Sequence, residues 1–86
     1  MPNNKAEKIN SNIVEVYFAK SNVYIKISEL KKAKTALEKG LRIEPNNHRA
    51  IFQLGNIFLM EKNYLEAIEL FDKSIKIKPD FWQAIN

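Results

Sequence analysis

The sequence predicts an all-α fold, built from antiparallel helix-turn-helix repeats. Three observations carry that reading. A shift of 34 residues lays the chain on itself without a gap, taking Phe18 to Phe52, Asn22 to Asn56, Ala33 to Ala67, Lys39 to Lys73, Ile43 to Ile77 and Pro45 to Pro79. Pairs that differ keep their chemical type: Tyr17 with Ile51, Ser21 with Gly55, Tyr24 with Phe58, Leu37 with Phe71, Gly40 with Ser74, and Leu41 with Ile75. A fixed period in this range marks a helical array. Within each period the apolar and small residues recur at three- and four-residue spacing, so they share one helix face. The polar breaks between helices are very short, and connections of that length force antiparallel neighbours.

The elements follow in order. Residues 1–4 are expected to fray, and from about Lys5 the series Ile9, Ile13, Val16/Tyr17, Ser21 and Tyr24 keeps helical spacing to about Ile27. Pro2-Asn3-Asn4 echoes Pro45-Asn46-Asn47, which supports a helix start there. Ser28-Glu29 forms a turn, and a second helix covers about Leu30–Ile43. His48–Glu61 and Tyr64–Ile77 repeat the pair around Lys62-Asn63, and a fifth helix opens at Phe81. Proline at 45 and 79 biases Glu44 and Lys78 away from helix and ends each second helix. Asn46-Asn47 and Asp80 supply turn and capping chemistry for the helix that follows. Small residues at Ser21, Gly55, Ala33 and Ala67 let paired helices approach closely. Gly55 inside a helix costs about 1 kcal/mol relative to alanine, so close packing is its expected reason.

The residues Ile51, Leu54, Gly55 and Phe58, then Ala67 and Phe71, then Pro79, have the spacing of the tetratricopeptide repeat, which this stretch resembles. The earlier unit fits with Tyr17, Ser21, Tyr24, Ala33, Leu37 and Pro45, and departs from the pattern where Lys20 stands in the place of Leu54. The resemblance divides a single domain, 1–86, into an N-terminal helical extension (1–13), a first repeat (14–47), a second (48–81) and the start of a third repeat or a capping helix (82–86). It implies a short right-handed superhelix, an α-solenoid, acting as a non-catalytic scaffold for protein–protein interaction.

In that family the first helix of each hairpin lines a concave groove that holds a peptide or partner helix. Carried onto this chain, the groove-facing residues are Glu15, Phe18, Asn22, Ile25 and Lys26, then Arg49, Phe52, Asn56, Leu59 and Met60, then Gln83. Phe18 and Phe52 lie roughly opposite the stripe that closes each hairpin, so closure alone does not account for them. Two readings fit them: packing between neighbouring first helices or under an extra helix, and an apolar groove with Asn22 and Asn56 bonding a partner's backbone. A subclass of the family clamps acidic C-terminal tails with lysine, asparagine and arginine. Asn22 matches one such asparagine, but Phe18, Gln53 and Gln83 replace other members of the set, and that clamp is not expected here.

Composition narrows the remaining classes. The chain has 86 residues and no cysteine, which excludes disulfides and thiolate metal sites and fits a reducing compartment; a cytoplasmic location is the expectation. No run of eighteen apolar residues exists, and the polar start MPNNKAEKINSN has no signal-peptide core, so no membrane association is expected. The net charge of +4 is uneven: residues 1–47 carry nine Lys/Arg against five Glu, and residues 48–86 carry five basic against five acidic residues. Lys31, Lys32, Lys34, Lys39 and Arg42 alternate with Glu29, Glu38 and Glu44, the pattern of a solvated helix face. Nucleic-acid binding is the alternative that this charge admits, and it would fall steeply with salt; no base-reading module supports it.

Catalysis has no candidate group. His48 is the only histidine, there is no Gly-rich phosphate loop, and Glu66, Glu69 and Asp72 read as helix-surface charge, so no enzyme activity, cofactor or metal is expected. One histidine without nearby ligands does not make a metal site. Each repeat buries a single face against its neighbour, and arrays normally need about three units with polar caps. The last hairpin would have only Trp82 and Ile85 to cover its outer face. Either the chain is cut from a longer array, or a second copy completes it through Trp82 and the 64–77 helix.

Overall fold

The computed structural model describes the backbone of residues 2–80 and the side chains of residues 12–80. Four helices follow one another: α1 (Pro2–Lys26), α2 (Leu30–Ile43), α3 (His48–Met60) and α4 (Tyr64–Ile77). No strand occurs among the described residues. The chain forms two compact units, Met1–Pro45 and Asn46–Asn86; α1 packs on α2 in the first, and α3 on α4 in the second. Pro79 and Asp80 are helical, while the expected fifth helix from Phe81, with Trp82, Gln83 and Ile85, lies outside the described residues.

The first helix starts earlier than its apolar pattern. It opens at Pro2 rather than near Lys5, and residues 2–4 are helical rather than frayed. Proline suits this position because its missing N–H would have no intrahelical partner in the first turn, and its φ is already helical. The ends of α2 and α4 and the start of α3 lie where Pro45, Pro79 and Asn47 put them. Glu44 (φ −128, ψ 85) and Lys78 (φ −141, ψ 73) leave the helical region just before Pro45 and Pro79, relieving the clash that proline makes with a preceding helical residue. At the start of α3, the Asn47 side-chain oxygen accepts the Ala50 N–H at 3.0 Å, satisfying one of the helix's orphan donors. At the start of α2, Glu29 makes no side-chain cap; its carboxylate pairs with Lys32 at 3.3 Å instead.

Both hairpins turn by the same device. Ser28 and Lys62, one period apart, have left-handed backbone at φ 63 and φ 65. Around them Ser28 N–H donates to Ile25 O at 3.0 Å and Glu29 N–H to Tyr24 O at 2.8 Å, while Lys62 N–H donates to Leu59 O at 3.0 Å and Asn63 N–H to Phe58 O at 2.8 Å. This pair of bonds closes a helix around one left-handed residue. A side chain there costs about 1–2 kcal/mol, partly offset in a glycine variant by the freer unfolded chain. Lys62→Gly is therefore expected to raise stability by about 0.5–1 kcal/mol, read as a higher urea midpoint; a lower midpoint would contradict the strain argument.

Small residues hold each helix pair together. In the first hairpin Ser21, Ala33, Ala36 and Gly40 are buried with Val14 and Leu37; in the second, Ala50, Gly55, Ala67 and Ser74 are buried with Ile51, Leu54 and Ile57. The buried hydroxyls are satisfied: Ser21 Oγ donates to Phe18 O at 2.6 Å within α1, and Ser74 Oγ donates to His48 O at 2.8 Å, tying α4 to the first residue of α3. The repeat-equivalent residue in the first hairpin, Gly40, faces Val14 and Tyr17 instead. Of the two glycines, Gly55 marks the closer approach. A Cβ there would stand 2.8 Å from Cε1 of Phe71, so the ring of α4 rests on the bare backbone of α3.

Candidate functional site

The first helix of each hairpin has one face turned away from its partner helix. On α1, Glu15, Asn22 and Lys26 are exposed, and Phe18 and Ile25 are half-buried. On α3, Arg49 is exposed and Phe52 and Asn56 are half-buried, while Leu59 and Met60 at its end are 46 % and 52 % exposed. Gln83 lies outside the described residues.

Two of these side chains are engaged inside the second hairpin. Phe52 packs its ring on Phe71 with centroids 5.2 Å apart and planes tilted by 49°. Hairpin closure therefore does account for this aromatic, against the expectation from its place opposite the closing stripe. The cause is Gly55: it draws Phe71 onto α3, and the ring then overlaps the neighbouring turn where Phe52 sits. Such an aromatic pair contributes about 0.5–1.5 kcal/mol beyond its area. Asn56 donates from Nδ2 to Gln53 Oε1 at 3.4 Å along its own helix. The apolar exposure on this face is thus concentrated at Leu59 and Met60.

Further exposed apolar residues were not assigned to a binding face by sequence reasoning. Val16 and Val23 on α1, Ile27 just past its end, and Leu65, Ile68 and Ile75 on α4 are all about half exposed or more. Their signal is present as helical spacing, but spacing alone does not separate a buried face from an exposed one. A 260 Å³ cleft between α1 and α2, lined by Tyr17 and Tyr24 and by Lys20, Lys31, Lys32 and Lys39, also went unread because its lysines come from both helices.

The described residues contain no group of three or more His, Cys, Asp or Glu placed to hold a metal ion. Among them no helix is long and apolar enough to cross a membrane. His48 has its pKa lowered below the ordinary 6.5 by burial, and then by the positive charges of Lys78 and Arg49, which favours the neutral imidazole at the helix start.

Two tetratricopeptide repeat family models match the chain, one over residues 14–47 and the other over residues 48–81. The chain belongs to the tetratricopeptide repeat family. The two matches meet without a gap and have the boundaries expected from the internal period. Tetratricopeptide repeats are generally protein–protein interaction modules and typically non-catalytic. No curated protein matches this tetratricopeptide chain.

Proposed function

We propose that this tetratricopeptide chain holds a peptide or a partner helix on the outward face of its first helices. One observation carries the reading: the last turn of α3 leaves Leu59 and Met60 half exposed, on the same helix as Arg49 and Asn56. A flexible methionine beside a leucine adapts to varied apolar side chains, while Asn56 one turn away and Arg49 at the far end of the helix add an amide and a cation to the same helix. An amphipathic helix or an extended segment offers that combination. Glu15, Phe18, Asn22, Ile25 and Lys26 give α1 a comparable set.

Phe52→Ala is a poor probe, because it removes a packing contact with Phe71 as well as a surface. A cleaner test selects peptides from a displayed random library on the intact chain, then measures Kd for the best binder by calorimetry. Leu59→Ser with Met60→Ser is expected to weaken that peptide at least tenfold at unchanged helix content, and Leu65→Ser on α4 to leave it unchanged. Peptides insensitive to the first pair would place binding elsewhere.

A further inference from the structure

Two surfaces outside the first-helix face complement each other. In the first hairpin, the cleft between α1 and α2 is lined by Tyr17 and Tyr24 together with Lys20, Lys31, Lys32 and Lys39. In the second, the face of α4 opposite its buried Ala67 and Ser74 presents Leu65, Ile68 and Ile75, which are 76 %, 55 % and 45 % exposed. Exposed Glu69, Asp72 and Lys76 stand along the same ridge. One surface is a lysine-rich cleft with two tyrosines, and the other an apolar-crested ridge that carries two carboxylates and one lysine.

We propose that the α4 ridge of one copy of this chain docks in the α1/α2 cleft of another. The lengths agree: at ~1.5 Å per residue, Leu65 to Ile75 spans about 15 Å and Lys31 to Lys39 about 12 Å. The crest side chains lie against the tyrosine rings, and Glu69 and Asp72 meet lysines on either wall. Among the described residues, the ion pair in this lysine set joins Lys32 to the exposed Glu29 at 3.3 Å, which leaves the cleft strongly basic. A purely acidic peptide would answer the lysines but not the tyrosines, whereas the ridge offers carboxylates and apolar side chains together. The contact is heterologous, so copies add head to tail. One helix in one cleft falls short of the ~800 Å² per partner of a stable interface, so association is weak and steeply dependent on concentration. None of the residues proposed for partner binding belongs to either surface, which makes this inference independent of that reading.

The test is sedimentation equilibrium of the full chain across a wide concentration range at low and high salt. The mean mass of the wild type is expected to rise with concentration and fall back with added salt. Lys31→Glu with Lys39→Glu, and separately Glu69→Lys with Asp72→Lys, should each weaken association at least tenfold. Combining all four reversals in one chain should restore it. Leu65→Ser, which alters no charge, should also weaken association at least tenfold while helix content stays constant. A wild type that stays monomeric throughout, as it would if the cleft took only a foreign acidic segment, overturns the proposal. So does association that ignores the reversals or is not rescued by their combination.

Discussion

Leu37→Ala is expected to lower stability by about 2–5 kcal/mol, the range for truncating a buried leucine. Leu37 is 1 % exposed and is the largest fully buried side chain described in the first hairpin. Its surroundings offer little to fill the void. Ala33, Ala36 and Gly40 bring α2 close to α1, and backbones already in close approach cannot collapse further to recover lost contacts. A small domain has only about 5–15 kcal/mol in total, so this one change removes a large share. Urea denaturation followed by far-UV circular dichroism reads the loss directly. Ile68→Ala, on an exposed position, should stay within about 0.5 kcal/mol as the matched surface control. A Leu37→Ala loss below about 1 kcal/mol would mean that the first hairpin does not rest on this contact.

The two glycines should respond to alanine with opposite signs. At Gly40 a new Cβ would stand 3.5 Å from Tyr17 Cβ and 3.7 Å from Val14 Cγ1, ordinary contact distances. The helix then gains about 1 kcal/mol of propensity without a clash, and Gly40→Ala is expected to stabilise by about 0.5–1 kcal/mol. At Gly55 the new Cβ would stand 2.8 Å and 3.0 Å from Phe71 ring carbons. That ring cannot simply swing aside, because Phe52 packs on it. Overpacking of this kind costs about 1–3 kcal/mol, which exceeds the propensity gain, so Gly55→Ala should destabilise. Adding Phe71→Leu to Gly55→Ala should recover part of the loss, and a double-mutant cycle measures the coupling. Equal signs at the two sites would remove the packing argument for Gly55.

Much of this architecture was legible because it is written in local rules. Pro45 and Pro79 dictate the extended residues before them, Asn47 is a preferred cap, and the buried Ala33, Ala67, Ser21 and Gly55 stand out as small residues on an otherwise apolar stripe. What escaped notice depends on how two helices are set against each other. Phe52 and Phe71 are nineteen residues apart, and only the approach at Gly55 brings their rings together. The left-handed turns were hidden for a different reason: serine and lysine do not advertise that conformation as glycine or asparagine would. The cleft lysines were legible as charge on α2 but not as the walls of a trough, because Lys20 and the tyrosines come from α1. Of the first-helix face, the residue positions could be read from the period, whereas their exposure could not.

The three-residue connections between α1 and α2 and between α3 and α4 bear on how fast the chain acquires its structure. Partners in each helix pair are brought together by closing a very short loop, which costs little chain entropy and takes about 10–100 ns even for ten residues. Contacts of such short sequence separation place the hairpins among the microsecond-to-millisecond folders. Synthesis adds only about 5–20 residues per second, so closure of each helix pair is far faster than the lengthening of the chain.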